Sequence, residues 1–439
     1  MSSVVFHPSR LHGEVRAQPS KSEAHRALLL AALGRGACRV DGLPEPLCDD
    51  TRAMLNGVRA LGAAVRREGD ALVVTPPSAP AAPSERADCD VYACAAALRM
   101  LAPVFLARGQ SVRFTMADGL FRRPMDDLDG VLKRIGASAL REPGAEGEPA
   151  SFSLSGTLRA GVYELDGART SQFASGMLIA LAHATDAQGS PAPSALTVRP
   201  IRSRPYLDMT LRQMRAFGMD VTEEETGRFR VPSAADRNPA RVRVAGDWTQ
   251  AAAFFCANAL GGGVLVTGLS MNGEQGEGAL LDALRAMGLA VWRAGDALCV
   301  TCPSRAGLSP VSLSCADMPD VAPLLALVCT RARGESTLSG VARLRLKECD
   351  RLGALLEALE RLGASAALSP DGDTLHVRGP VSLRGGFTMD ARGDHRIVML
   401  LAVAALAADA PITVTGAQTL AKSWPTCLSQ YRALGGVAR

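Results

Sequence analysis

Arg59-Ala60-Leu61-Gly62 closes a stretch of helical apolar spacing, and five further stretches close in the same way. They end in Lys133-Arg134-Ile135-Gly136, Arg215-Ala216-Phe217-Gly218, Arg285-Ala286-Met287-Gly288, Glu360-Arg361-Leu362-Gly363 and Arg432-Ala433-Leu434-Gly435. Each glycine suits the left-handed position that ends a helix. The first five lead into short strand-like runs such as Ala71-Leu72-Val73-Val74 and Ala297-Leu298-Cys299-Val300. A return at roughly 70 to 80 residues is the signature of a repeated supersecondary unit.

Each period holds a second, more apolar helix, with starts near Ser22, Ala95, Ser171, Thr249, Asp320 and His395. Behind them run Ala27–Leu33, Leu98–Leu106, Phe173–Leu181, Ala251–Leu260, Val321–Val328 and Ile397–Leu406. Helices apolar on nearly every face are expected to be buried. Each unit therefore combines a buried helix, an amphipathic one and several strands, which is an α/β architecture. Pro76–Ser84 and Gly189–Ser194, rich in Pro, Ser and Ala, read as loops.

At 439 residues the chain exceeds what one core usually supports, so six units in two domains of three is the simplest packing. The break is expected near Ala245, ahead of Gly246-Asp247-Trp248. Residues 21–244 then form the first domain and 245–439 the second. The N-terminal segment, residues 1–20, carries the strand-like Val4–Ala17 and is assigned to the second domain. Periodicity alone does not give the domain pairing.

Aromatics at 4% are too sparse for stacking on nucleic-acid bases, and a net charge of +4 is mild and scattered. Eleven cysteines at irregular spacing fit a reducing cytoplasm. Cys299 and Cys302 form a CxxC without a second pair, so no zinc site is expected. The N-terminus lacks a basic-then-apolar signal pattern. The longest apolar stretch, Ile397 to Ala408, is too short to span a bilayer. A cytoplasmic protein without membrane or nucleic-acid partners is the expectation.

Among 48 Lys and Arg only Lys21, Lys133, Lys347 and Lys422 are lysines, and three of these sit in polar clusters that open helices. An ammonium can exchange a proton where a guanidinium stays charged. The runs ahead of the buried helices are Lys21-Ser22-Glu23-Ala24-His25-Arg26, Thr170-Ser171-Gln172, Gly246-Asp247-Trp248-Thr249, Asp317-Met318-Pro319-Asp320 and Asp394-His395-Arg396. Helix starts favour anions. Lys21, Ser22 and Arg26 fall on one turn or its neighbour, which suits a phosphate. Ordinary capping explains the Ser, Thr and Asp residues. It does not need Lys21, Arg26, Arg351, Arg396 and Lys422. No Walker-type phosphate loop is present. His25 reads as a packed histidine, whereas Asp394 stands beside His395 and can fix its tautomer.

At these residues the chain resembles the 5-enolpyruvylshikimate-3-phosphate (EPSP) synthase family, the 3-phosphoshikimate 1-carboxyvinyltransferases, over essentially its whole length. The resemblance is carried by Pro19-Ser20-Lys21-Ser22 with Arg26, Asp49-Asp50-Thr51, Arg123-Pro124-Met125, Ser171-Gln172-Phe173 and Ser203-Arg204-Pro205-Tyr206. It continues through Gly246-Asp247-Trp248, Pro319-Asp320, Lys347-Glu348-Cys349-Asp350-Arg351, Asp394-His395-Arg396 and Ala421-Lys422-Ser423. It implies a two-domain inside-out α/β barrel, each domain three βαβαββ repeats, closing over the substrates. The implied reaction joins the enolpyruvyl group of phosphoenolpyruvate to the 5-hydroxyl of shikimate 3-phosphate.

By the resemblance, Lys21, Ser22, Arg26, Thr170, Ser171, Gln172, Ser203, Tyr206, Asp320 and Lys347 face shikimate 3-phosphate. Lys21, Gln172, Arg351, Arg396 and Lys422 face phosphoenolpyruvate. Asp320 is the candidate to take the hydroxyl proton and Glu348 to handle C3. Lys21 and Lys422 would steady the transferring group and share the protons. No metal or organic cofactor is implied, and a monomer is expected.

One wall departs from the family pattern. Ala93-Cys94-Ala95-Ala96 stands where the family has Asn/Glu-Ser/Ala-Gly-Thr/Ser, and Gly119 where it has an arginine. Each lost hydrogen bond to a charged group costs roughly 1.5 to 3 kcal/mol. Weak phosphoenolpyruvate affinity and weak inhibition by glyphosate are therefore expected. Two alternatives stay open: a weakened paralogue that binds a phosphorylated cyclitol, and an enolpyruvyl transferase with a different acceptor. The UDP-N-acetylglucosamine enzyme is disfavoured, because it has Lys-Asn at Lys21-Ser22 and usually a cysteine in the loop of Asp118–Arg123.

Overall fold

The six apolar runs form the helices Lys21–Leu33, Ala95–Ala107, Gln172–Ala182, Trp248–Ala259, Ala322–Cys329 and His395–Ala405. The computed structural model describes residues 3–78, 86–234, 237–272, 275–302 and 307–439. Most of the Pro76–Ser84 stretch lies outside the described residues, while Gly189–Ser194 is loop until Ser194 opens a strand. The repeated glycines all have positive φ, from 63° at Gly136 to 95° at Gly288 and Gly435. A side chain there would strain the turn that releases the chain from helix to strand.

Among the described residues six four-stranded sheets share one order: a parallel pair, then two antiparallel strands. In one of them Ala87–Asp90 runs parallel to Val112–Met116 across the Ala95–Ala107 helix. Ala150–Ser155 and Ser138–Glu142 follow antiparallel. Alternation sets its faces: Val112, Phe114 and Met116 are buried while Arg113 and Thr115 are not. The outermost strand, Ser138–Glu142, is exposed along its whole length.

The chain forms two compact units, Pro19–Val244 and Met1–Gln18 with Ala245–Arg439. Each has its own hydrophobic core. In the first, the Ala95 and Gln172 helices pack tightly together; in the second, the Trp248, Ala322 and His395 helices touch one another. Helices fill the centre and sheets form the outside, so each unit is an inside-out α/β barrel.

Val4–Ala17 proves to be two strands rather than one. Ser3–His7 lies between Ile412–Thr415 and Val437–Ala438, and His12–Arg16 runs parallel to Gly263–Thr267. The corresponding place in the other unit is taken by Arg241–Arg243, parallel to Cys38–Asp41. Strand pairing of this range has no local signal, because the partners lie hundreds of residues apart. Among the described residues no helix is long and apolar enough to cross a membrane.

Candidate functional site

In the unit Pro19–Val244, Ser20 caps the first buried helix by accepting from Glu23 N, so Lys21 and Ser22 occupy its first turn, both half-buried. Lys21 Nζ donates to Asp50 Oδ2 at 2.6 Å. Asp50 opens the next helix, Asp49–Ala60, and its carbonyl lies 2.9 Å from His25 Nε2. Burial lowers the pKa of His25 to about 4, so this histidine is a neutral, packed residue.

Arg26 is buried more deeply than Lys21. Its Nε donates to Thr210 Oγ1, NH1 to the Ser22 carbonyl, and NH2 to Ser175 Oγ and the Tyr206 carbonyl, at 2.8 to 3.1 Å. A guanidinium has five N–H donors, so among the described residues four are spent and one on NH1 remains. The spacing that grouped Arg26 with Lys21 and Ser22 is real, but its main partners come from elements far along the chain. It braces the Lys21 helix against Gln172–Ala182 and Arg204–Ala216.

Thr170 and Ser171 precede the Gln172 helix, with Thr170 Oγ1 accepting from Gln172 N. Gln172 Oε1 accepts from Arg99 NH1 at 3.0 Å. Ser203 is buried at φ 52°, a left-handed backbone that is uncommon outside glycine, and Tyr206 follows it half-buried. On the altered wall, Cys94 caps the Ala95 helix through its sulfur, which accepts from Ala97 N. Gly119 is exposed, and a Cβ built there would meet nothing within 4 Å.

In the other unit, Arg351 organises three carboxylates. Its Nε donates to Asp394 Oδ2 at 2.7 Å, NH1 to Asp320 Oδ1 at 2.8 Å, and NH2 to Glu348 Oε2 at 2.6 Å and Asp394 Oδ1 at 3.2 Å. It is 1% exposed. Lys347 Nζ also reaches Asp320 Oδ1, at 2.9 Å. Burial opposes ionisation of Asp320, yet the charges of Lys347, Arg351 and Arg396 hold its carboxyl well below the usual carboxylate range. Burial pulls the Lys347 pKa down even though Asp320 pulls it up.

Arg396 differs. It is 2% exposed, its NH2 stands 3.7 Å from Asp320 Oδ2, NH1 donates to the Met399 sulfur at 3.7 Å, and Nε has no hydrogen-bond partner among the described residues. Asp394 does not fix the tautomer of His395 as the sequence suggested, since the closest approach is 3.9 Å to Nδ1. Its oxygens are committed to Arg351 and to Arg396 N. Lys422 ends the turn Ala417–Lys422 and is buried; Gln250 donates to the next carbonyl, that of Ser423.

In one unit Lys21, Ser22 and Arg26 lie on one helix, which Arg26 ties to the Gln172–Ala182 helix through Ser175; in the other Asp320, Lys347, Glu348, Arg351 and Arg396 stand around a single charge network. Sequence reading missed Asp50, Asp394 and Arg99 as partners. Asp50 and Asp394 stand in quoted motifs, Asp394 beside His395, whereas Arg99 sits inside an apolar run with no local signal for its partners.

A family model described as EPSP synthase (3-phosphoshikimate 1-carboxyvinyltransferase) matches residues 5–430. A 3-phosphoshikimate 1-carboxyvinyltransferase of Deinococcus radiodurans is 36% identical, covering 98% of this chain and 95% of its own. One from Methanocorpusculum labreanum is 33% identical over 99% of both. The solved EPSP synthase of Acinetobacter baumannii shares the fold with a TM-score of 0.78 at 23% identity, over 100% of this chain and 99% of that one. The enolpyruvyl transferase NikO of Streptomyces tendae does so at 0.75 and 20%, over 100% and 98%. With the matched model spanning nearly all of its length, the chain belongs to the EPSP synthase family.

Proposed function

We propose that this chain transfers the enolpyruvyl group of phosphoenolpyruvate to the 5-hydroxyl of shikimate 3-phosphate and releases phosphate. The observation that carries the reading is Arg396: a buried guanidinium whose nearest carboxylate lies beyond hydrogen-bond distance. A buried charge without close hydrogen-bonded acceptors is costly, and a polyanionic ligand supplies them. Arg351, by contrast, is already surrounded by carboxylates and serves first to hold them in place.

In the reaction the 5-hydroxyl oxygen adds to C2 of phosphoenolpyruvate while C3 gains a proton. The tetrahedral intermediate then loses phosphate from C2 and a proton from C3. Lys21, Ser22, Thr170, Ser171, Gln172, Ser203, Tyr206, Asp320, Lys347 and the remaining Arg26 donor bind shikimate 3-phosphate. Lys21, Gln172, Arg351, Arg396 and Lys422 bind phosphoenolpyruvate. Asp320 takes the hydroxyl proton and Glu348 serves C3, with Lys21 and Lys422 sharing proton traffic. A carboxyl held as low as Asp320 is a weak base. Its strength rises when incoming anions draw off the charge of Lys347 and Arg396. The protein works as a monomer in the cytoplasm on these small molecules.

The test is a phosphate-release assay with each substrate alone and with both together. Release that requires both supports the reading. Binding of shikimate 3-phosphate by calorimetry without any release would instead favour the non-catalytic binder.

A further inference from the structure

Arg99 is the one basic residue of the Ala95–Ala107 helix, and it is 5% exposed. Its guanidinium ties three segments together. NH1 donates to Gln172 Oε1 at 3.0 Å, NH2 donates to the Pro124 carbonyl at 2.8 Å, and the group lies 5.6 Å from the centre of the Phe173 ring. Asp127, buried just beyond Pro124, presents its charge to Arg99 and Arg169.

The two helices are held in this register by Gly176. A Cβ there would lie 2.8 Å from the Arg99 carbonyl oxygen and from Met100 Cα. The missing side chain lets the Gln172 helix come close enough for its first side chain to meet Arg99.

A guanidinium carries donors only, so an amide can face it only through its oxygen. Turning the Gln172 amide over would set two donor groups against each other in a buried place. With Oε1 taken by Arg99, the Gln172 NH2 makes no hydrogen bond to any described residue and keeps both hydrogens for another acceptor.

We infer that Arg99 is a positioning residue that locks Gln172 as a pure donor, so that this corner of the site accepts ligand oxygens with lone pairs and rejects ligand donors. The inference rests on the reading of Gln172 as a substrate-binding residue. Arg99 itself does not touch the reacting atoms; it acts through the amide.

The experiment compares Gln172→Ala, Arg99→Met, Arg99→Lys and the double variant Arg99→Met/Gln172→Ala in the full chain. Initial rates give KM for each substrate and kcat, and thermal unfolding checks folding. Gln172→Ala is expected to raise KM by about ten-fold, the loss of one hydrogen bond to a charged ligand. Arg99→Met should raise KM comparably, Arg99→Lys should restore most of the affinity through its remaining donor, and the double variant should be no worse than Gln172→Ala. If Arg99→Met does not fold, Arg99→Gln, whose amide can still donate to Gln172, must behave like Arg99→Lys. An unchanged KM in Gln172→Ala sinks the reading of Gln172. A raised KM in Gln172→Ala with wild-type KM in Arg99→Met, or multiplicative effects in the double variant, overturns the role of Arg99 and leaves that reading standing.

Discussion

Replacing Arg351 by methionine keeps most of the side-chain volume and removes the charge at the centre of three carboxylates. The cost follows from where each carboxylate lies. Asp394 is fully buried and is gripped at both oxygens by Arg351, at 2.7 and 3.2 Å. Glu348 and Asp320 are 16% and 20% exposed, and Asp320 keeps Lys347. Solvent and that lysine soften the loss at the latter two. The orphaned Asp394 therefore dominates, and breaking one side of a buried pair costs about 3–5 kcal/mol. Urea unfolding of the full chain measures it. Because the chain has two units with separate cores, unfolding need not be a single step. The transition that moves should be that of the unit containing residues 245–439. Adding Asp394→Asn should recover part of the loss, since asparagine still caps the His395 helix while shedding the unpaired charge. Coupling of at least about 1 kcal/mol between the two positions is expected for groups in contact. A shift below about 1 kcal/mol in Arg351→Met, or strict additivity with Asp394→Asn, would refute the reasoning.

Acid should weaken the protein through His25. The unfolded chain takes up this proton near pH 6.5, the folded one only near 4. The unfolded state binds more protons across that window, so stability falls as pH drops through it, by roughly 3 kcal/mol in all. Melting temperatures of wild type and His25→Gln should converge at low pH relative to neutral pH; parallel curves would count against the assignment. Gly176→Ala should cost about 1–3 kcal/mol in urea unfolding, because backbone atoms 2.8 Å from the new Cβ have nowhere to yield. Gly119→Arg should fold normally, since open space surrounds that Cβ. It should lower KM for phosphoenolpyruvate by about ten- to a hundred-fold if a charged hydrogen bond is regained. No change in KM would show that the altered wall does not limit binding.

Much of the fold was legible because its signals are local. A charged residue, a hydrophobe and glycine at a helix end, repeated along the chain, need only neighbouring residues to act, and all six glycines take the positive φ the pattern requires. Apolar runs too uniform for a surface helix became the buried helices within a residue or two of their expected starts. The cations at helix starts were found for the same reason. Capping and the dipole set the local geometry, and the surplus of Lys and Arg stood out against it.

What the tertiary structure alone decided was how those charges are used. Sequence places Arg26, Arg351 and Arg396 alike at helix starts, yet packing spends four donors of Arg26 on Thr210, Ser22, Ser175 and Tyr206. It surrounds Arg351 with carboxylates and leaves Arg396 buried without a close one. The same holds for His12–Arg16 and Arg241–Arg243, whose sheet partners lie far away in sequence. The physical reason is range. Periodicity and caps act within a turn or two of backbone, whereas the partner of a buried charge or an edge strand is whichever distant segment the closed core brings within hydrogen-bond reach.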